Sequence, residues 1–230
     1  MIAVAKKILF VVNAPEFFLS HRLPLAQAAR NQGYEVHVAS ASGEQAKAIA
    51  DLGFAHHVVS FARSGQNPMI ELKTFLFLAQ LFRRLRPDLV HLITIKPVLY
   101  GGIAARFAGI GAVVSAVSGL GTVFLASSPM GKARRWLIKR LYASAFKPRE
   151  LAVIFQNPDD RDTLLEMGAL KSGSAQLIRG SGVSLKDYPC LPEPKRTPVV
   201  VMAARLLRDK GVMEFVEAAK LLKEDRKSVV

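Results

Sequence analysis

Short, unbroken runs of apolar residues alternate along this chain with longer stretches in which apolar residues recur every three or four positions. A strand buried on both faces reads as an unbroken Val/Ile/Leu-rich run, whereas a helix shows the 3.6-residue period. The alternation therefore predicts a parallel sheet with helices on both sides. Residues 7–12, 35–39, 55–60, 88–92, 112–118, 152–155 and 175–178 are the expected strands. Residues 23–32, 43–51, 70–85, 98–108, 131–145 and 158–167 are the expected helices between them. Gly33, Gly53, Gly109 and Gly168 each follow a helical stretch, where a C-terminal cap needs positive φ, and Pro87 stops the third helix after Arg86. The fold class is α/β, a doubly wound, Rossmann-like parallel-sheet domain.

From Tyr188 onward Pro189, Pro192, Pro194 and Pro198 stand among charges, a texture that neither pairs in a central strand nor continues a helix. Beyond it, residues 199–203 read as a buried strand, 205–211 as a polar loop and 212–223 as an amphipathic helix. The expected organisation is a first domain over 1–187, a Pro-rich linker over 188–198 and the start of a second Rossmann-like domain over 199–230. One βα unit cannot bury its own faces, so that second domain is expected to be incomplete here.

Half of the 230 residues are hydrophobic and 22% are charged, which excludes collagen-like, low-complexity and wholly disordered chains. Lys and Arg number 32 against 18 Asp and Glu, a net charge of +14 that calls for an anionic partner such as phosphate, nucleic acid or acidic lipid. No helix-turn-helix, zinc-knuckle or RNP pattern supports nucleic acid. The single cysteine, Cys190, permits neither an internal disulfide nor a structural zinc site and fits a reducing cytosol. Lys6-Lys7 and the apolar run after them resemble a signal peptide, but Asn13, Pro15 and Glu16 end the run early, so a buried first strand is expected. Residues 107–131 carry no charge and are long enough to cross a bilayer, yet their clustered glycines, serines and Pro129 favour a strand, a glycine loop and a helix start.

In open parallel sheets ligands gather at the carboxyl ends of the strands, where helix N-termini and loop amides favour negative charge. After the first strand come Asn13-Ala14-Pro15-Glu16 and Ser20-His21-Arg22, with Ser20 placed to cap the following helix. The absence of G-x-G-x-x-G from this turn weighs against an ordinary NAD-binding domain. His91 in the fourth strand reads as a core histidine. Lys96, just beyond, is either an anion contact or a solvated lysine. Ser118-Gly119-Leu120-Gly121 is a turn whose amides can approach a ligand closely or simply reverse the chain. Asn157-Pro158-Asp159-Asp160 is a helix start, and Arg179-Gly180-Ser181-Gly182-Val183 is a loop preceding the linker. In the second domain Arg205 and Lys210, ahead of a helix N-terminus, suit a diphosphate. Lys132, Arg134, Arg135, Lys139, Arg140 and Lys147 interleave with Trp136, Leu137, Ile138, Leu141, Tyr142 and Phe146, a basic amphipathic helix able to lie on an anionic bilayer or to pack into the domain.

With these residues in order along the chain, the sequence resembles family 4 (GT-B fold) bacterial glycosyltransferases of surface-polysaccharide or lipid-linked oligosaccharide synthesis. The segments that carry the resemblance are Phe18-Leu19-Ser20-His21-Arg22-Leu23-Pro24-Leu25, Lys96-Pro97-Val98-Leu99-Tyr100-Gly101-Gly102, Ser118-Gly119-Leu120-Gly121, Gly180-Ser181-Gly182-Val183 and Ala204-Arg205-Leu206-Leu207-Arg208-Asp209-Lys210-Gly211. The resemblance implies a two-domain enzyme moving a sugar, with retention, from a nucleotide-diphosphate donor to a saccharide or polyprenyl-diphosphate-linked acceptor. It implies Arg205 and Lys210 on the donor diphosphate. Glu16, His21, Lys96, Ser118, Gly119, Gly121 and Gly182 then lie on the acceptor side of the cleft. No metal or other cofactor is expected besides the nucleotide sugar. The expected location is cytoplasmic, peripheral on the inner face of the membrane.

Three departures bear on activity. Asn13-Ala14-Pro15 stands where many relatives have a Gly-Gly turn. Ser118 and Gly119 stand where some relatives have a histidine, so no catalytic base is assigned. The Glu-x7-Glu motif of the family would lie beyond Val230, so this fragment is expected to be inactive alone. Two rival readings stand beside this one: a UDP-sugar 2-epimerase of the same fold, against which the Lys96-Pro97 and Ser118–Gly121 segments speak, and a non-catalytic basic domain that binds membrane or a partner.

Overall fold

The computed structural model describes residues 5–61, 68–120, 129–193, 195 and 199–227. They divide into two compact units, Met1–Val183 and Ser184–Val230. Seven parallel strands form one sheet in the first unit: β1 (Lys7–Val12), β2 (Glu35–Ser40), β3 (Ala55–Val58), β4 (Leu89–Ile93), β5 (Ala112–Val117), β6 (Glu150–Phe155) and β7 (Ala175–Leu177). Their spatial order is β3-β2-β1-β4-β5-β6-β7, so the winding reverses between β1 and β4. At such a reversal adjacent loops leave in opposite directions and open a crevice at the carboxyl edge.

Because side chains alternate across a strand, β1 feeds two cores. Leu9 and Val11 join Leu78, Phe82, Val98 and Tyr142 beneath the helices α4 (Pro68–Leu85), α5 (Gly102–Ala108) and α6 (Pro129–Ala145). Ile8, Phe10 and Val12 face the opposite way, onto Phe18, Ala26 and Ile49 of α1 (Pro15–His21), α2 (Leu23–Asn31) and α3 (Glu44–Asp51). A further α-helix of this unit, α7 (Pro158–Glu166), is capped by Asn157, whose Oδ1 accepts the Asp160 N–H at 2.8 Å.

Helix α1 is absent from the periodicity-based reading. Pro15 opens it without an N–H to satisfy, and the Ala14 carbonyl accepts from the amides of Phe17 and Phe18. The helix ends at Arg22, whose φ of −126° breaks the backbone before α2. Ser20 consequently lies inside α1 and does not cap α2. Its Oγ donates to the Glu16 carbonyl at 2.7 Å, and the position before Leu23 is held by Arg22 without a side-chain cap.

The described residues of this stretch, 107–120 and 129–131, hold the end of α5, β5 and the start of α6, the rest of the expected glycine loop lies outside the described residues, and no described helix is long and apolar enough to cross a membrane. Glycines 33, 53, 109 and 168 take positive φ as expected.

In the second unit, residues 199–203 do not form the expected strand. No described strand runs beside them to accept ladder hydrogen bonds, and Val199, Val200 and Val201 remain exposed. The helix after them, α8 (Val212–Lys227), is present and longer than its apolar pattern indicated.

Candidate functional site

At the carboxyl edge of the sheet, beside the β1/β4 reversal, a pocket of about 250 Å³ opens among His21, Arg22, Pro24 and Leu25, the ends of β5 and β6, and the loop after β7. Residues far apart in sequence supply its polar groups: Arg22, His91, Ser118, Gln156 and Ser181. The break between α1 and α2 turns Arg22 inward. Its Nη1 donates to Ser181 Oγ at 2.8 Å and to the His21 carbonyl at 3.0 Å. Its Nε is buried without a hydrogen-bond partner, and burial lowers its pKa. His91 stands beside Phe10 in register across β1 and β4, with ring centroids 5.5 Å apart. It is 4% exposed, and its Nε2 also lacks a partner. Burial, reinforced by the Arg22 charge, pulls the imidazole down to about 3, so His91 is neutral at physiological pH.

His21 is exposed at the pocket mouth, stacked on Phe17 at 4.2 Å, and its Nδ1 lies 2.6 Å from Ser20 Oγ. Ser118 lines the pocket wall. Gly119 follows with φ +149°, and the turn is tied down where the Leu120 N–H donates to Asp160 Oδ1 at 3.4 Å. Gly182, at φ +71°, lies just past the lining residues Gly180 and Ser181. Glu16 is exposed on α1 and outside the lining set, and Gly121 lies outside the described residues.

Lys96 has a carboxylate partner within the domain. Its Nζ pairs with Glu71 Oε1 of α4 at 2.6 Å, with both side chains largely buried. The same carboxylate acts on Tyr100, whose phenol is pushed up to about 12 by burial and then by Glu71. Between β4 and a π-helical turn at Pro97–Gly101 sits Thr94 at φ +74°, an unusual conformation for a β-branched residue, with its Oγ1 buried and unpartnered. Such strain and π-turns concentrate at functional edges.

In the second unit, Arg205 and Lys210 are both exposed in the loop that precedes α8. The Leu207 N–H donates to the Arg205 carbonyl, a 3-10 turn spans Arg208–Lys210, and Gly211 at φ +72° leads into the helix. Among the described residues no group of three or more His, Cys, Asp or Glu side chains gathers where a metal ion could sit.

Sequence reasoning named His21 and Ser118 of the pocket but gave Arg22 no role and treated His91 only as core. The sole local signal for Arg22 was its place directly after Ser20-His21, while Ser181 and Glu71 meet their partners across 159 and 25 residues.

The sequence profile of the family described as glycosyl transferase 4-like matches residues 7–157. A protein of Campylobacter jejuni subsp. jejuni serotype O:2, N,N'-diacetylbacillosaminyl-diphospho-undecaprenol alpha-1,3-N-acetylgalactosaminyltransferase, is 30% identical over 228 residues, covering 90% of this chain and 60% of that protein. Anabaena HepE, solved in complex with UDP and glucose, superposes with a TM-score of 0.55 at 16% identity over 81% of this chain and 47% of its own. The UDP-GlcNAc 2-epimerase of Neisseria meningitidis, solved with UDP-GlcNAc, gives 0.52 at 15% identity over 74% and 46%. The two structures share the fold, and this chain spans 60% of the curated relative's length and under half of theirs. The sheet is thus the Rossmann-like half of a GT-B fold, and the chain belongs to the glycosyl transferase 4-like family.

Proposed function

We propose that this chain is the acceptor-side part of a glycosyltransferase that moves a sugar from a nucleotide-diphosphate donor to a saccharide or lipid-linked saccharide, with retention. The observation that carries the reading is the pocket at the sheet reversal in a chain of this family, walled by apolar side chains and holding a fixed guanidinium. The relative's name supports a lipid-diphosphate acceptor. The first domain, 1–187, would receive the acceptor through His21, Ser118, Gly119 and Gly182, with Glu16 at the rim and Lys96 acting beside its Glu71 partner. The part over 199–230 would supply Arg205 and Lys210 to the donor diphosphate, where fixed cations stabilise the leaving group as charge develops. No metal enters this reading.

Membrane contact is part of the proposal. Leu72 and Leu76 of α4, Phe107 of α5 and Trp136 and Leu137 of α6 are all exposed on the helices covering one side of the sheet. Arg83, Arg106, Arg135 and Arg140 share those helices, and Arg140 lies over the Trp136 ring at 5.6 Å. Apolar side chains amid cations suit an anionic bilayer, which fits a cytoplasmic protein working at the inner face.

The epimerase reading shares the fold, but the family match favours transfer. Incubating the protein with a panel of nucleotide sugars and lipid-linked acceptors distinguishes them. Acceptor-dependent release of nucleoside diphosphate supports transfer, and conversion of the donor sugar without acceptor supports the isomerase. Arg205→Ala and Lys210→Ala should each lower turnover by at least a hundredfold, and unchanged turnover in both would remove the diphosphate role.

A further inference from the structure

The pocket contains an arrangement that the transferase reading does not by itself require. Two nitrogens, Arg22 Nε and His91 Nε2, are buried without partners, although a buried polar group left unpaired costs roughly 1–3 kcal/mol. No Asp or Glu lines the pocket, so the half-buried guanidinium has no carboxylate there to balance it. Its Nη1 is held by Ser181 Oγ and the His21 carbonyl, which leaves Nε–H as a donor with no partner in the protein. The first turn of α2, represented by Pro24 and Leu25 in the pocket wall, has no acidic residue to offset the positive end of the helix. His91 adds a donor without a second charge, since its neutral ring can place its one proton on Nε2.

We infer that Arg22 and His91 form an oxyanion-receiving site in the pocket wall, and that the acceptor seats a phosphate or carboxylate group there. The site itself rests on this geometry; its use by the acceptor rests on the transferase reading. A fixed guanidinium and a neutral imidazole accept an anion without a proton having to be taken up first. Either anion would stabilise the charged imidazole and raise its titration midpoint.

The test titrates the whole chain with inorganic phosphate, glucuronate or glucose while following the His91 imidazole 15N resonances. Phosphate or glucuronate should move the Nε2 signal in a saturable way, and glucose should not. A dominant response to phosphate assigns the site to phosphate-bearing acceptors, and one to glucuronate assigns it to acidic sugars. Arg22→Met should weaken anion binding at least tenfold. His91→Phe, which keeps the packing on Phe10, should weaken it severalfold when followed through the Gln156 side-chain amide. Lys171→Gln, an exposed lysine beyond α7, should leave it unchanged. Absence of any anion-dependent shift at His91, or equal binding by Arg22→Met, would overturn the site. Anion binding that depends on Arg22 without transfer would sink the transferase reading and leave the site standing. Transfer with an unchanged acceptor KM in Arg22→Met would do the reverse.

Discussion

His57 on β3 illustrates how much of this molecule's behaviour lies in single side chains. Its Nε2 lies 3.1 Å from His37 Nδ1, and His37 turns its other nitrogen to Glu35 Oε1 at 2.8 Å. Burial first, then the charges of His37, Arg84 and His56, bring His57 from 6.5 down to about 4. His91 behaves alike, lowered to about 3. Between pH 6.5 and these folded-state values the unfolded chain binds protons at these two residues that the native chain refuses, so their contribution to stability falls as pH drops through that window and is flat above it. Urea midpoints measured at pH 7.5 and 5 should show the loss, and His91→Phe should reduce the difference between them. The Lys96–Glu71 pair makes a second prediction at this scale. Lys96→Met leaves a largely buried carboxylate without that cation and should cost roughly 1–3 kcal/mol. Adding Glu71→Gln to Lys96→Met should recover most of the loss in denaturant melts, because the uncompensated charge is then gone.

Among elements, α5 and α6 meet more closely than any side chain allows. A Cβ on Gly102 would lie 2.8 Å from both the carbonyl oxygen and the Cβ of Ala145, and backbone cannot swing aside as a flexible side chain can. Gly102→Val should therefore cost about 1–3 kcal/mol and lower the Tm, while Gly111→Ala, with nothing within 4 Å, should leave the Tm unchanged. The local sequence Tyr100-Gly101-Gly102 carried no sign of Ala145. Most other elements were legible beforehand because their cause is local. Strand β1 matches its apolar run residue for residue, and Asn157 caps α7 as its spacing implied. Helix α1 was hidden because seven residues with three adjacent apolar side chains, Phe17, Phe18 and Leu19, show no period of their own. The strand expected at 199–203 failed for the opposite reason, since an apolar run becomes a strand only when a neighbour supplies the ladder.

For the whole molecule, the net charge of +14 and the exposed apolar residues of α4, α5 and α6 point to one experiment. Co-sedimentation with vesicles containing phosphatidylglycerol should be strong at low salt and weak at 0.5 M NaCl. Trp136→Glu combined with Leu76→Glu should abolish it, and equal binding by that variant would remove the membrane contact. The sequence by itself determined the layered α/β class, the glycines at the helix ends and the basic balance. Each follows from periodicity, backbone sterics or a count, all of them properties of neighbours along the chain. Only the tertiary structure decided that Arg22 reaches Ser181, that Lys96 is balanced by Glu71 and that His91 opens onto a pocket. Those partners meet because the sheet winding reverses between β1 and β4, bringing distant strand ends to one edge. Burial there, which no local pattern encodes, sets the protonation and hydrogen-bonding capacity of each group.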